Sequence, residues 1–119
     1  MHKMTQAEFD KLKRNKDGYL VIPNGTDCTE IDFGVANRVI FGSGCELGDG
    51  CVLGDGCVLG DECKLGDGCE LGDGCELGDG CVLGDECKLG DQCVLGYGCK
   101  LGNWCVLGHD CKLGEYIDA

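Results

Sequence analysis

From Cys45 to Cys111 a cysteine stands every six residues, and from Leu47 to Leu113 a leucine follows each one two places later. Twelve consecutive hexads of the form Cys-x-Leu-Gly-x-x therefore fill residues 45–116. A fixed period marks a repeat architecture, in which each unit buries its apolar face only against its neighbours. The Cys/Leu spacing of two is the alternation of a very short strand with one inward face, and the Glu, Val or Lys between them points outward. The Gly-Asp-Gly after each leucine supplies a bend, because glycine takes positive φ freely and aspartate tolerates it. A helix is excluded. A six-residue period scatters Cys and Leu around the cylinder, and each helical glycine costs about 1 kcal/mol.

A strand this short is stable only when stacked on its own kind, so that every N–H and C=O finds a partner. Three corners close a coil most simply. The expected fold is an all-β, three-sided parallel solenoid with eighteen residues per coil, whose twelve hexads make four coils roughly 20 Å tall at about 4.8 Å per rung. In-register stacking sorts the cysteines into columns: 45, 63, 81, 99; then 51, 69, 87, 105; then 57, 75, 93, 111. Within a column the side chains run parallel, so Cβ separations exceed the disulfide range of about 3.5 to 4.5 Å and bridging is strained. The thirteen cysteines read as small, buried, weakly polar filler. Disulfides between coils and capture of metal by thiolates are the sharper alternatives, although the knuckle spacing of structural metal sites is missing.

The run Leu47-Gly48-Asp49-Gly50-Cys51-Val52 and its copies resemble the hexapeptide repeat of left-handed parallel β-helices, with Cys where Ser, Thr, Ala or Val usually sits. The resemblance covers residues 45–116 and is what implies a left-handed coil. The chain also resembles, more loosely, uncharacterised cysteine-rich hexapeptide proteins of bacterial, prophage and phage genomes that begin with a "TQAEFDKL"-like segment. That likeness implies no activity.

Ahead of the hexads, Thr5-Gln6-Ala7-Glu8 has capping-box spacing, which predicts a short helix over residues 5–14. Met1–Lys3 reads as a tag remnant or a frayed end. "GYLVIPNGTD" reads as a strand broken by Pro23 and an Asn24-Gly25 turn. Phe33-Gly34 and Phe41-Gly42 are expected in the Leu-Gly role and Val39 in a cysteine slot, with two extra residues in "VANR" and the phenylalanines plugging the top. Cys28 falls outside the Cys45 register. The division expected is a cap of helix and strand at residues 1–30, needed for solubility, and the β-helix at 31–119.

The net charge of −12 is uneven. Residues 45–116 hold fifteen acids against four lysines, whereas residues 1–44 hold six of each sign. Such acidity argues against nucleic acid and anionic membranes as partners. No long apolar run and no signal-peptide core is present, which suits a cytoplasmic or virion-associated protein.

The hexapeptide resemblance implies acyltransferases first, with a catalytic histidine at a subunit interface and a loop thrown out of the coil. Only His2, in a tail, and His109, at a corner, are available, and no loop interrupts residues 45–116. The related zinc carbonic anhydrases need three histidines. No catalytic or cofactor-binding residue is assigned, and no cofactor is expected. Corner aspartates stack as Asp49, Asp67 and Asp85, as Asp55, Asp73 and Asp91, and as Asp61 and Asp79. Neighbours about 5 Å apart repel by roughly 1 kcal/mol in water. Hydration and salt offset that repulsion, and a hard cation bridging Asp49, Asp67, Asp85, Asp55, Asp73 or Asp91 is the sharper alternative.

Glu46 beside Lys64, and Glu70 beside Lys88, are opposite charges on adjacent rungs. The Val58/Val94 face carries spaced valines that suit a modest contact. The last coil replaces Gly and Asp with Tyr97, Asn103, Trp104, His109, Asp110, Glu115 and Tyr116, and the period puts Tyr116 one coil below Gly98, beside Tyr97. Tyr97, Trp104, His109 and Tyr116 are the candidate interaction residues, as a terminal cap or as a rim for a protein partner or self-association. The functional expectation is a non-enzymatic structural or protein-interaction solenoid, a short acidic rod of phage or prophage association. An acyltransferase comes second, and a divalent-cation or thiol-metal binder third.

Overall fold

A computed structural model describes residues 1–118. Its backbone is a parallel β-solenoid of about five turns, eighteen residues per coil, with almost no helix. The first face stacks His2–Lys3, Thr26–Cys28, Glu46–Leu47, Lys64–Leu65, Val82–Leu83 and Lys100–Leu101. The second stacks Leu20–Ile22, Val39–Phe41, Val58–Leu59, Glu76–Leu77, Val94–Leu95 and Lys112–Leu113. The third is shorter, running from Val52–Leu53 through Glu70–Leu71 and Lys88–Leu89 to Val106–Leu107. Every pairing is parallel and in register, with Glu46 opposite Lys64, Val52 opposite Glu70 and Val58 opposite Glu76. The extents are 36 × 26 × 20 Å, a stubby rod.

Each hexad is tied to the next coil by backbone. Lys64 N–H donates to Cys45 O at 2.9 Å and Gly66 N–H to Leu47 O at 3.0 Å, while at the corner Gly50 N–H donates forward to Asp67 O at 2.7 Å. Inside, Cys45 through Cys99 and Leu47 through Leu95 are buried in one continuous core.

The upper end departs from the sequence expectations in four places. The helix spans Gln6–Asp10 rather than 5–14: Thr5 and Glu8 complete the capping box, but Lys11 ends it, and Asn15 Oδ1 then accepts from the N–H groups of Asp17 and Tyr19 in a tight turn. His2–Lys3 is no frayed end, since it pairs with Thr26–Asp27 as the outermost strand of the first face. The first coil carries one extra residue, not two. Leu20 pairs with Val39 and Cys28 with Leu47, nineteen residues on, whereas Phe41 pairs with Leu59, eighteen on. The surplus lies between Glu30 and Ala36, on the one side of that coil where no strand holds the register.

Phe41-Gly42 takes the Leu-Gly role, but Phe33-Gly34 does not. Gly34 has φ +60°, the mark of the bend position later in the hexad. Phe33 still turns inward, stacking edge-on against Phe9 at 5.2 Å and Phe41 at 5.4 Å, so three aromatic rings close the top. Gln6 fastens the helix to this coil through paired hydrogen bonds with Asp32, 2.9 Å to its O and 2.8 Å from its N–H. Val39 fills a cysteine slot, as expected, and so does Thr26; Cys28 occupies a leucine slot. The ladder reaches back to Leu20, so residues 20–28 are rungs as well as roof. No described helix is long and apolar enough to cross a membrane.

Candidate functional site

The corners are held by side chain as well as backbone. Asp49 Oδ1 accepts the N–H of Asp67 at 2.8 Å, Asp67 accepts that of Asp85 at 2.8 Å, and Asp85 accepts that of Asn103 at 2.8 Å. The second column runs from Asp55 through Asp73 and Asp91 to His109, and the third from Asp61 through Asp79 to Tyr97. Hydration and salt are therefore not alone in offsetting the stacked charge: each carboxylate takes a charge-assisted hydrogen bond from the next coil. This is also why glycine follows leucine. A Cβ on Gly66 would lie 2.2 Å from Asp49 Oδ1 and 2.6 Å from Asp49 N. The later bend position is a different constraint, a left-handed φ near +60° filled by Gly50 and Gly68 but also by Glu62, Glu86, Gln92 and Trp104.

The thiols carry a hydrogen-bond role beyond volume. From Cys57 to Cys111 every column thiol donates to the backbone carbonyl twenty-one residues back, as in Cys69 to Gly48 at 3.1 Å, Cys81 to Gly60 at 3.2 Å and Cys87 to Gly66 at 3.3 Å. These are weak bonds, but each satisfies a carbonyl at a corner. All thirteen cysteines are free, and only Cys105 and Cys111 are half-buried. Burial pushes the Cys28 thiol up to about 12. Cys75 is pushed up by hydrogen bonding to Cys57 and Cys93 and then by burial, and Cys81 by hydrogen bonding to Cys63 and then by burial.

The four C-terminal candidates divide among three corners. Tyr97 and Tyr116 share one corner, their rings 5.1 Å apart and inclined at 62°. Trp104 and His109 stand on the other two. Trp104 is 86% exposed and Tyr116 74%, while Leu113, an interior position in earlier coils, is 49% exposed. The aromatics thus do not cover the last rung. On the second face Glu76 separates Val58 from Val94, so the valines form no continuous patch.

A cleft of about 510 Å³ opens where the surplus residue distorts the first coil, lined by Glu30, Asp32, Val35, Asp49, Cys51 and Val52 among others. Its carboxylates are engaged: Glu30 with Lys3, Asp32 with the Gly34 N–H, Asp49 with the Asp67 N–H. Among the described residues no three His, Cys, Asp or Glu side chains are grouped to hold one ion, the six stacked aspartates included.

Residues 62–97 match the family model described as bacterial transferase hexapeptide (six repeats). Residues 45–116 are built of hexapeptide repeats. The match and the eighteen-residue parallel coil together fit a hexapeptide-repeat left-handed β-helix, and the same ladder continues on both sides of the matched segment. No curated protein and no solved structure matches the chain. The hexapeptide solenoid hides its corner ladder from sequence reasoning: the period alone shows that aspartates stack, and only the invariant Leu-Gly pair, which makes room for Asp Oδ1, hints at a bond between coils.

Proposed function

We propose that this hexapeptide solenoid is a non-enzymatic structural and interaction module, an acidic rod that associates end to end with a second copy of itself through the last coil. One observation carries the reading. Apolar exposure coincides with low charge there and nowhere along the shaft: Trp104, Val106, Leu113 and Tyr116 are exposed, and residues 97–118 hold three acids and two lysines, against thirteen acids and two lysines over residues 45–96. Side-by-side approach sets acid against acid, whereas end-on approach does not. Val106–Leu107 and Lys112–Leu113 are also the terminal strands of their sheets, whose free N–H and C=O groups form a template for another strand. A scaffold of this kind suits the phage and prophage hexad proteins that the chain resembles.

Sedimentation equilibrium over a wide concentration range tests it. The expected outcome is a dimer that Leu113→Ser with Trp104→Ser abolishes and Val58→Ser leaves intact. A monomer at every concentration, or a dimer sensitive only to Val58→Ser, overturns it. The transferase reading draws on the description of the matched family, and it stands if acetyl-CoA binds in calorimetry and His109→Ala removes that binding.

A further inference from the structure

We infer that the three cysteine columns form a ladder of two-coordinate sites for a soft monovalent d10 cation, each ion lying between the sulfurs of adjacent coils. The geometry is that of the repeat. In-register pairing of the strands places cysteines eighteen residues apart at equivalent points one rung from each other, and a rung is about 4.8 Å. The sulfurs also share one orientation: Cys63, Cys81 and Cys99 each reach a carbonyl twenty-one residues back at 3.2 Å. With the zinc–thiolate length of about 2.3 Å as the guide, a collinear S–M–S unit is about 4.6 Å long, within a few tenths of an ångström of the rung. No strand has to move. A disulfide, with its bond of about 2 Å, requires the two sulfurs to be drawn far together.

Donor chemistry selects the same class. Thiolate is a soft ligand suited to Cu(I). With no group of three donors among the described residues, a tetrahedral zinc centre has no place to form, whereas paired sulfurs repeat down each column. Cys28, in a leucine slot, stands outside the ladder, and Thr26 and Val39 end two columns at the top. Two ions on opposite sides of one sulfur would demand a straight angle at that sulfur, so each thiolate serves one ion, and a filled column of four exchanges four S–H protons for two cations and keeps two net negative charges. The weak S–H···O bonds are given up, and their protons go to solvent. Loading begins at the C-terminal end, where Cys105 and Cys111 are half-buried.

The test is titration of the reduced chain with Cu(I) under anaerobic conditions against a chromophoric Cu(I) chelator, with stoichiometry from native mass spectrometry and the metal environment from X-ray absorption. The expected result is uptake of up to two ions per column, two sulfur neighbours per copper, and a retained β spectrum. Cys75→Val, which borrows the side chain of Val39, loses one ion; Cys111→Val, at the column end, also loses one; Cys28→Ala loses none. If Cys75→Val does not fold, the comparison of Cys111→Val with Cys28→Ala decides alone. No uptake against the chelator, three or four sulfurs per copper, or a loss for Cys28→Ala equal to that of Cys111→Val overturns the proposal.

Discussion

The carboxylate of Asp67 accepts the backbone N–H of Asp85 one coil on, at 2.8 Å, while the N–H of Asp67 itself donates to Asp49 at 2.8 Å. A corner aspartate is thus an acceptor first and a charge second. Asn24 shows it, because its Oδ1 takes the Ser43 N–H at 2.9 Å in the same position of the first coil. Asp67→Ala is expected to cost about 1 kcal/mol, below the usual range for hydrogen bonds to charged groups because the site is exposed, and Asp67→Asn only a few tenths. Urea unfolding measures both. Equal losses would show that charge, not the acceptor, is what the corner uses.

The two glycines of a hexad answer different demands and separate under mutation. At Gly66 an added Cβ meets Asp49 Oδ1 at 2.2 Å and Asp49 N at 2.6 Å, so the coils must part. At Gly68 nothing lies within 4 Å, and the only penalty is a φ of +69°. Gly68→Ala is expected to cost about 1 to 2 kcal/mol, and Gly66→Ala clearly more, through broken rungs on both sides. Thermal unfolding of the two variants ranks them, and the reverse order would contradict the close approach.

Adding eighteen to a residue number predicts most of what touches what: the cysteine columns and the Glu46–Lys64 pairing follow from it directly, and the Tyr97–Tyr116 contact follows through Gly98, the neighbour of Tyr97. What addition does not give is direction within a corner. Whether Asp49 faces solvent or the next backbone depends on the bend, and the letters are the same either way. The first coil hides its register for a different reason. Thr26, Val39 and Cys28 hold interior slots without the Cys-Leu spelling, so the nineteen-residue offset has no mark in the sequence. The helix is cut at Asp10 by a turn that Asn15 builds with residues beyond it, which helix propensity over residues 11–14 does not register.

Depth along the rod should set the cost of losing a leucine. Leu83 is 2% exposed with rungs on both sides, and Leu113 is 49% exposed. Leu83→Ala is expected to cost about 2 to 5 kcal/mol, as core truncations do, and Leu113→Ala less than about 1 kcal/mol. Denaturant midpoints of the two variants check the contrast. A near-neutral Leu83→Ala would refute an interior filled by leucine.

The buried Cys28 thiol predicts a contribution to stability that is lost at alkaline pH. Burial raises Cys28 from an ordinary 9.0 to about 12, and burial also raises Cys45 and Cys105. A folded-state value above the unfolded one means that the fold favours the neutral thiol. The contribution is therefore whole below about pH 9 and is lost as pH climbs through about 12. The stability difference between the natural chain and Cys28→Ala should hold steady to about pH 9 and then shift against the natural chain as pH climbs toward 12. Reactivity follows the same burial. At pH 8 a thiol reagent should meet Cys105 and Cys111 first in the native chain, and all thirteen cysteines once denaturant is added without reductant. Thirteen equivalent thiols in the native protein would place the sulfurs outside the coil, and fewer than thirteen in the denatured one would mean that bridges had formed between rungs.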